Sequence, residues 1–89
     1  MYRIKIFPQA DKDIRSYQKA GNKIALTKIR IILKQLEKHP STGAGQPEQL
    51  KYELSGYWSR RIDKKNRIIY RIDEEIVTVI VVSAIGHYL

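Results

Sequence analysis

The residues of this 89-residue chain whose types could do chemistry together all lie after position 40: Glu48, Lys51, Arg60, Arg61, Arg67, Arg71, His87 and Tyr88. A carboxylate, several guanidinium groups and an imidazole are the types needed to cleave RNA without a metal. A base must take the ribose 2′-hydroxyl proton, a cation must hold the charge growing on the phosphate, and an acid must protonate the leaving oxygen. Competing chemistries lack their signatures. There is no phosphate-cradling glycine loop, no paired-carboxylate spacing and no metal motif, and Gly43-Ala44-Gly45 alone is too short to count. Cysteine is absent, which excludes a disulfide framework, a thiolate metal site and a cysteine nucleophile. No cofactor is called for.

These residues are scattered, so the elements around them must bring them together. Tyr2, Ile4 and Ile6 alternate with Arg3 and Lys5, predicting a strand over roughly 2–7 that Pro8 ends. Ala10, Ile14 and Tyr17 then fall on one stripe of a helix that stops before Gly21. Asn22 can cap a second helix, with Ala25, Ile29, Ile32, Leu33 and Leu36 on its apolar face and His39-Pro40 at its end. Residues 40–47 carry Gly and Pro with no apolar pattern and read as a surface loop.

Beyond the loop the period changes to two. Leu50, Tyr52 and Leu54 alternate with Lys51 and Glu53, Ser55-Gly56 interrupts, and Trp58, Arg60 and Ile62 begin another strand. A turn at 63–66 leads to a strand over 67–72, and residues 73–75 lead to a last strand over 76–82, apolar on both faces and therefore expected inside the sheet. The fold class expected is α+β: an N-terminal strand, a helical hairpin lying on one sheet face, then an antiparallel meander, all in one domain spanning 1–89. The other sheet face and the chain end after the last strand must then hold most of the basic side chains.

Seventeen Lys and Arg against nine Asp and Glu leave a formal charge of +8, which points to a polyanionic partner. The apolar run near the C-terminus is about half of what a membrane helix needs, and the alternating start is not of signal-peptide type. The expected location is the cytoplasm, with no membrane partner.

One stretch is specific enough to carry a family resemblance. Gln46-Pro-Glu48-Gln-Leu-Lys51-Tyr-Glu-Leu-Ser-Gly-Tyr-Trp-Ser-Arg-Arg61-Ile, then Arg67-Ile-Ile-Tyr70 and a near-terminal His87-Tyr88, resemble the YoeB (Txe-type) toxins of the RelE/ParE superfamily. Three positions depart from the family pattern: Gln49 stands for a proline, Asn66 for a histidine, and Leu89 follows the terminal tyrosine. The resemblance implies the RelE-like microbial RNase fold and a toxin of a type II toxin–antitoxin pair that cuts mRNA in the ribosomal A site. It further implies Glu48 as general base, Arg67 as the phosphate-binding arginine, His87 as general acid with Tyr88 beside it, and Lys51 and Arg61 lining the same pocket.

Neighbouring strand residues point to opposite faces, so only one of Arg60 and Arg61 can join that pocket, and the resemblance favours Arg61. Arg60 and Tyr57 are kept as candidate RNA contacts, and Trp58 is assigned to packing. The partners implied are the ribosome with its mRNA and an acidic antitoxin of the YefM/Axe type, through which alone operator DNA would be reached; a homodimer stays open. Two rival readings are a non-catalytic ParE-like gyrase inhibitor and a plain basic RNA-binding module. The combination of Glu48, Arg67 and His87 separates the first reading from the ParE-like one, and cutting of translated mRNA that is lost in His87→Ala would separate it from both.

Overall fold

The computed structural model describes residues 1–85. The chain order is β1 (Arg3–Ile6), α1 (Pro8–Lys19), α2 (Lys23–Leu36), β2 (Glu48–Gln49), a 3₁₀ turn (Tyr52–Leu54), β3 (Tyr57–Arg61), β4 (Arg67–Asp73) and β5 (Thr78–Ser83). The strands form one sheet in the order β1-β5-β4-β3-β2. From β2 to β5 it is the expected antiparallel meander. β1 joins its far edge parallel to β5, a pairing that the intervening helical hairpin makes possible by crossing over the sheet.

Local chemistry explains the helices. Pro8 stands at the start of α1, where its fixed φ suits a helix and its missing N–H is no loss. The Asn22 side chain accepts from the Ala25 backbone N–H at 3.1 Å, as its cap assignment requires. Ala10 and Tyr17 of α1 and Ala25, Ile29, Ile32 and Leu36 of α2 pack on Ile62, Ile68, Tyr70, Val79 and Val81 to make the core. Trp58 is packed against the same cluster. β5, paired on both sides, lies inside the sheet as its two-sided apolar pattern predicts.

Two stretches differ from expectation. Residues 50–54 are not a strand. The register that opposes Glu48 to Ser59 and Gln49 to Trp58 would set Glu53 against Leu54, so the hairpin must turn inside 50–56. Only Leu50 of the alternating trio is buried, while Tyr52 is 91% exposed and takes a left-handed φ of 58°. The last strand starts at Thr78 and not at Ile76, because Val77 also has a positive φ, 47°, and belongs to the β4–β5 turn.

Candidate active site

The core cluster fixes which face each strand residue occupies. Trp58, Ile62, Ile68, Tyr70, Ile72, Val79 and Val81 face the helices, so the residues alternating with them face away. Opposite partners in an antiparallel pair share a face. Glu48 is opposite Ser59, Ser59 opposite Ile69, Arg61 opposite Arg67, and Tyr57 opposite Arg71. Glu48, Tyr57, Arg61, Arg67 and Arg71, from three consecutive strands, therefore share the face that the helices leave open. Strand spacing and rise place the Cα atoms of Glu48 and Arg67 about 12 Å apart, a gap that a glutamate and an arginine reaching inward can close on one substrate group.

Arg61 and Arg67 stand directly across from each other. Two like charges in that arrangement repel, and an anion held between them relieves the repulsion. Each guanidinium also presents a planar fork that matches a phosphate. Arg61 is exposed and Arg67 half-buried, so one is held by the sheet and the other reaches into solvent. Glu48 and Lys51 are exposed, and Tyr57 is half-buried beside them. Residues 48–54 wrap around an open hollow of about 790 Å³. Leu50, which lines it, is buried, as are Ile69 and Ile80, none of them part of the main core cluster.

Arg60 corrects the sequence reading. It is not an RNA contact: it points to the helix side and is 0% exposed. Its Nη2 donates to the carbonyls of His39 at 2.5 Å and Thr42 at 2.7 Å. Nη1 donates to Gln35 Oε1 at 3.1 Å and to the Ala44 carbonyl at 3.4 Å, and Nε donates to Tyr70 Oη at 3.1 Å. Tyr70 in turn donates to the Pro40 carbonyl at 2.7 Å, and burial raises its phenol above the usual value against the lowering influence of Arg60.

The loop over 40–47 is thus fastened from beneath by one side chain. At its exit the Arg61 N–H donates to the Gly45 carbonyl at 2.7 Å, an approach so close that a Cβ on Gly45, whose φ is +84°, would lie 2.8 Å from the Arg61 carbonyl oxygen. The next residues, Pro47 and Glu48, enter β2. Arg60 therefore acts on the site by holding the loop that delivers Glu48.

His87 and Tyr88 lie outside the described residues. What the structure does show is how the chain leading to them is held. Asp13 Oδ2 accepts from the Ala84 N–H at 2.9 Å, and Tyr17 Oη donates to the Ala84 carbonyl at 2.7 Å. Burial, with the carboxylates of Asp63 and Asp13 adding to it, pushes the Tyr17 phenol up to about 12, so it stays a donor. Both backbone groups of a residue three positions before His87 are gripped by α1.

Tyr17→Phe leaves that buried carbonyl without a donor and should cost about 1–3 kcal/mol. For a domain of this size that lowers Tm by roughly 5–15 °C, readable by circular dichroism, and an unchanged Tm would discount the clamp.

Sequence reasoning missed this clamp, although Asp13 and Tyr17, four apart on the buried stripe with Ala10, were a signal for it. Among the described residues no group of three or more His, Asp or Glu is placed to hold a metal.

Comparison with known proteins gives this geometry a family. A family described as "YoeB-like toxin of bacterial type II toxin-antitoxin system" matches residues 7–88. The chain is 38% identical over 88 residues to Toxin YoeB of Mycobacterium bovis, covering 99% of this chain and all of that protein. It is similar to the toxin in the YoeB–YefM complex from Staphylococcus aureus, with a TM-score of 0.82, 35% identity and 99% of both chains covered. It is likewise similar to the YoeB dimer from Staphylococcus aureus, with a TM-score of 0.83, 34% identity and 98% of both chains covered.

Proposed function

This chain belongs to the YoeB toxin family of bacterial type II toxin–antitoxin systems, and from that premise we propose that it is a metal-independent endoribonuclease cutting mRNA in the ribosomal A site. The 89 residues act as one toxin domain. Glu48 takes the proton from a ribose 2′-hydroxyl, the freed oxygen attacks the adjacent phosphate, and Arg67 holds the charge that grows on its oxygens. His87 protonates the departing 5′ oxygen, with Tyr88 beside it, and the upstream fragment ends in a cyclic phosphate. An imidazole suits that step because it exchanges protons near neutral pH. Arg61 and Lys51 bind the flanking backbone, and half-buried Tyr57 borders it.

The observation that supports this reading best is the strand register. It sets a carboxylate and two opposed guanidinium groups on the one sheet face that the helices leave uncovered. A binding-only toxin has no use for Glu48 among these cations, where it weakens the attraction for a polyanion.

The partners follow from charge and kinship. A toxin of formal charge +8 calls for an acidic antitoxin. The Staphylococcus aureus relative is found with YefM, and a YefM-like tail folding across the open face would block Glu48 and Arg67 together. Operator DNA is reached through that antitoxin, and a toxin dimer, as found for the same relative, is compatible with this arrangement. No helix among the described residues is long and apolar enough to cross a membrane, and action on ribosomes sets the protein in the cytoplasm.

Mapping of cleavage ends on an mRNA, with and without ribosomes, tests the reading. Cuts are expected only on translated message, ending in cyclic phosphate and lost in His87→Ala. Upstream ends carrying a free 3′-hydroxyl, as metal-activated water leaves when it attacks from the other side, or cutting that persists in His87→Ala, would overturn the mechanism.

A further inference from the structure

Ser59 is the anomalous residue on the open face. It is 0% exposed, and its hydroxyl, alone among the buried side-chain polar atoms of the described residues, has no hydrogen-bond partner. A buried hydroxyl left unpaired is a standing destabilisation that an alanine at the same position would remove. Its buried cross-strand neighbour on this face, Ile69, is aliphatic and has no use for a donor. A group that packing does not need points to a task outside packing.

The register names the group within reach. Ser59 pairs with Glu48 across β2 and β3, so both side chains leave the same face at the same level. Directly opposed residues have Cβ atoms about 4.5–5.5 Å apart, the span over which a serine hydroxyl meets a glutamate carboxylate turned inward. Glu48 is exposed in the free protein, so its carboxylate has room to make that turn. The buried Ile69 on the other side of Ser59 keeps the surroundings apolar, which strengthens the bond once water is displaced.

We propose that Ser59 is a positioning residue for Glu48: its Oγ–H donates to one carboxylate oxygen when RNA covers the face, leaving the other oxygen aimed at the ribose 2′-hydroxyl. The serine keeps its proton throughout, and the proton from the 2′-hydroxyl goes to the free carboxylate oxygen. This rests on the endoribonuclease reading, in which Glu48 is the base.

The test is steady-state cleavage of ribosome-bound mRNA by the full chain, for Ser59→Ala and Ser59→Thr, each also measured for Tm. Ser59→Ala is expected to lose roughly ten- to a hundredfold in kcat, the worth of a hydrogen bond to a charged group, with KM within about twofold. Its Tm should equal or exceed that of the wild type. Ser59→Thr restores the hydroxyl in a residue that suits a strand and should recover most of the rate. In a Glu48→Ala background, Ser59→Ala should cause no further loss, because a residue acting through another has nothing left to act on.

An unchanged kcat in Ser59→Ala, a rate loss that merely follows a loss of Tm, or an undiminished further loss in the Glu48→Ala background would each overturn the proposal. A wild-type protein that cuts no mRNA would instead remove the endoribonuclease reading on which it stands.

Discussion

Glu48→Gln is expected to fold and melt as the wild type does while losing about 10²–10⁴ of its cleavage rate, the usual contribution of a positioned general base. The substitution keeps shape and hydrogen-bonding capacity and removes only the ability to accept a proton under these conditions. Stability should be untouched because the side chain is exposed, and β2 is held by backbone pairing opposite Trp58 and Ser59. The measurement is the rate of appearance of cut ends on translated mRNA, beside a thermal melt of the same preparation. A variant that cuts at the wild-type rate would take Glu48 out of the mechanism. One that loses Tm as well would mean that Glu48 supports the hairpin and not the reaction.

The second large effect concerns stability. Arg60→Lys keeps the charge and nearly the length, yet it should cost about 3–5 kcal/mol, as expected when a buried charged hydrogen-bond network loses a member. Arg60 reaches five acceptors on four loop or helix residues and on Tyr70 with one planar fork. An ammonium has three donors radiating from a point and cannot meet them. The carbonyls of His39, Thr42 and Ala44 would lose the donor that ties them to the sheet.

A domain of this length holds only about 5–15 kcal/mol in all, so Tm should fall by roughly 15–30 °C. Arg61→Lys, one residue along and exposed on the other face, should melt like the wild type. If the two variants melted alike, the fastening of the 40–47 loop by Arg60 would not be a main source of stability. Because that loop delivers Glu48, residual cleavage by Arg60→Lys at a temperature where it remains folded should also be reduced.

The pair Arg60-Arg61 shows how far a sequence goes toward assigning a site. Alternation in a strand says that the two side chains part to opposite faces, and it says so from local geometry alone. Which face is the core cannot be read from that rule. Arginine is a charged residue, and sequence patterning counts charged residues as facing water. Here the inward arginine is satisfied by carbonyls that come from residues 39–44, some twenty positions earlier, and only the folded loop brings them within 3.4 Å.

The same holds for 50–54. The Leu50, Tyr52, Leu54 pattern has the period of a strand, but the strand needs a partner, and the register fixed at Glu48–Ser59 leaves it none. The positive φ of Tyr52 follows from that closure and not from any preference of tyrosine.

Outside 48–54, the sequence by itself determined the elements and their order, because helix and strand periods, Asn22, Pro8 and the Gly/Pro loop are written in short-range patterns. It also determined the chemical inventory, since the +8 charge, the absence of cysteine and the types at 48, 61 and 67 need no fold to be counted. Only the tertiary structure decided which of those residues share a surface. Register is a long-range quantity, set when Glu48, Ser59, Ile69, Arg61 and Arg67 pair across three strands, and a slip of one residue would turn each strand's side chains to the opposite face. Packing likewise turned Arg60 inward and Asp13 and Tyr17 toward Ala84, because a buried polar group must find its partner wherever the chain happens to bring one.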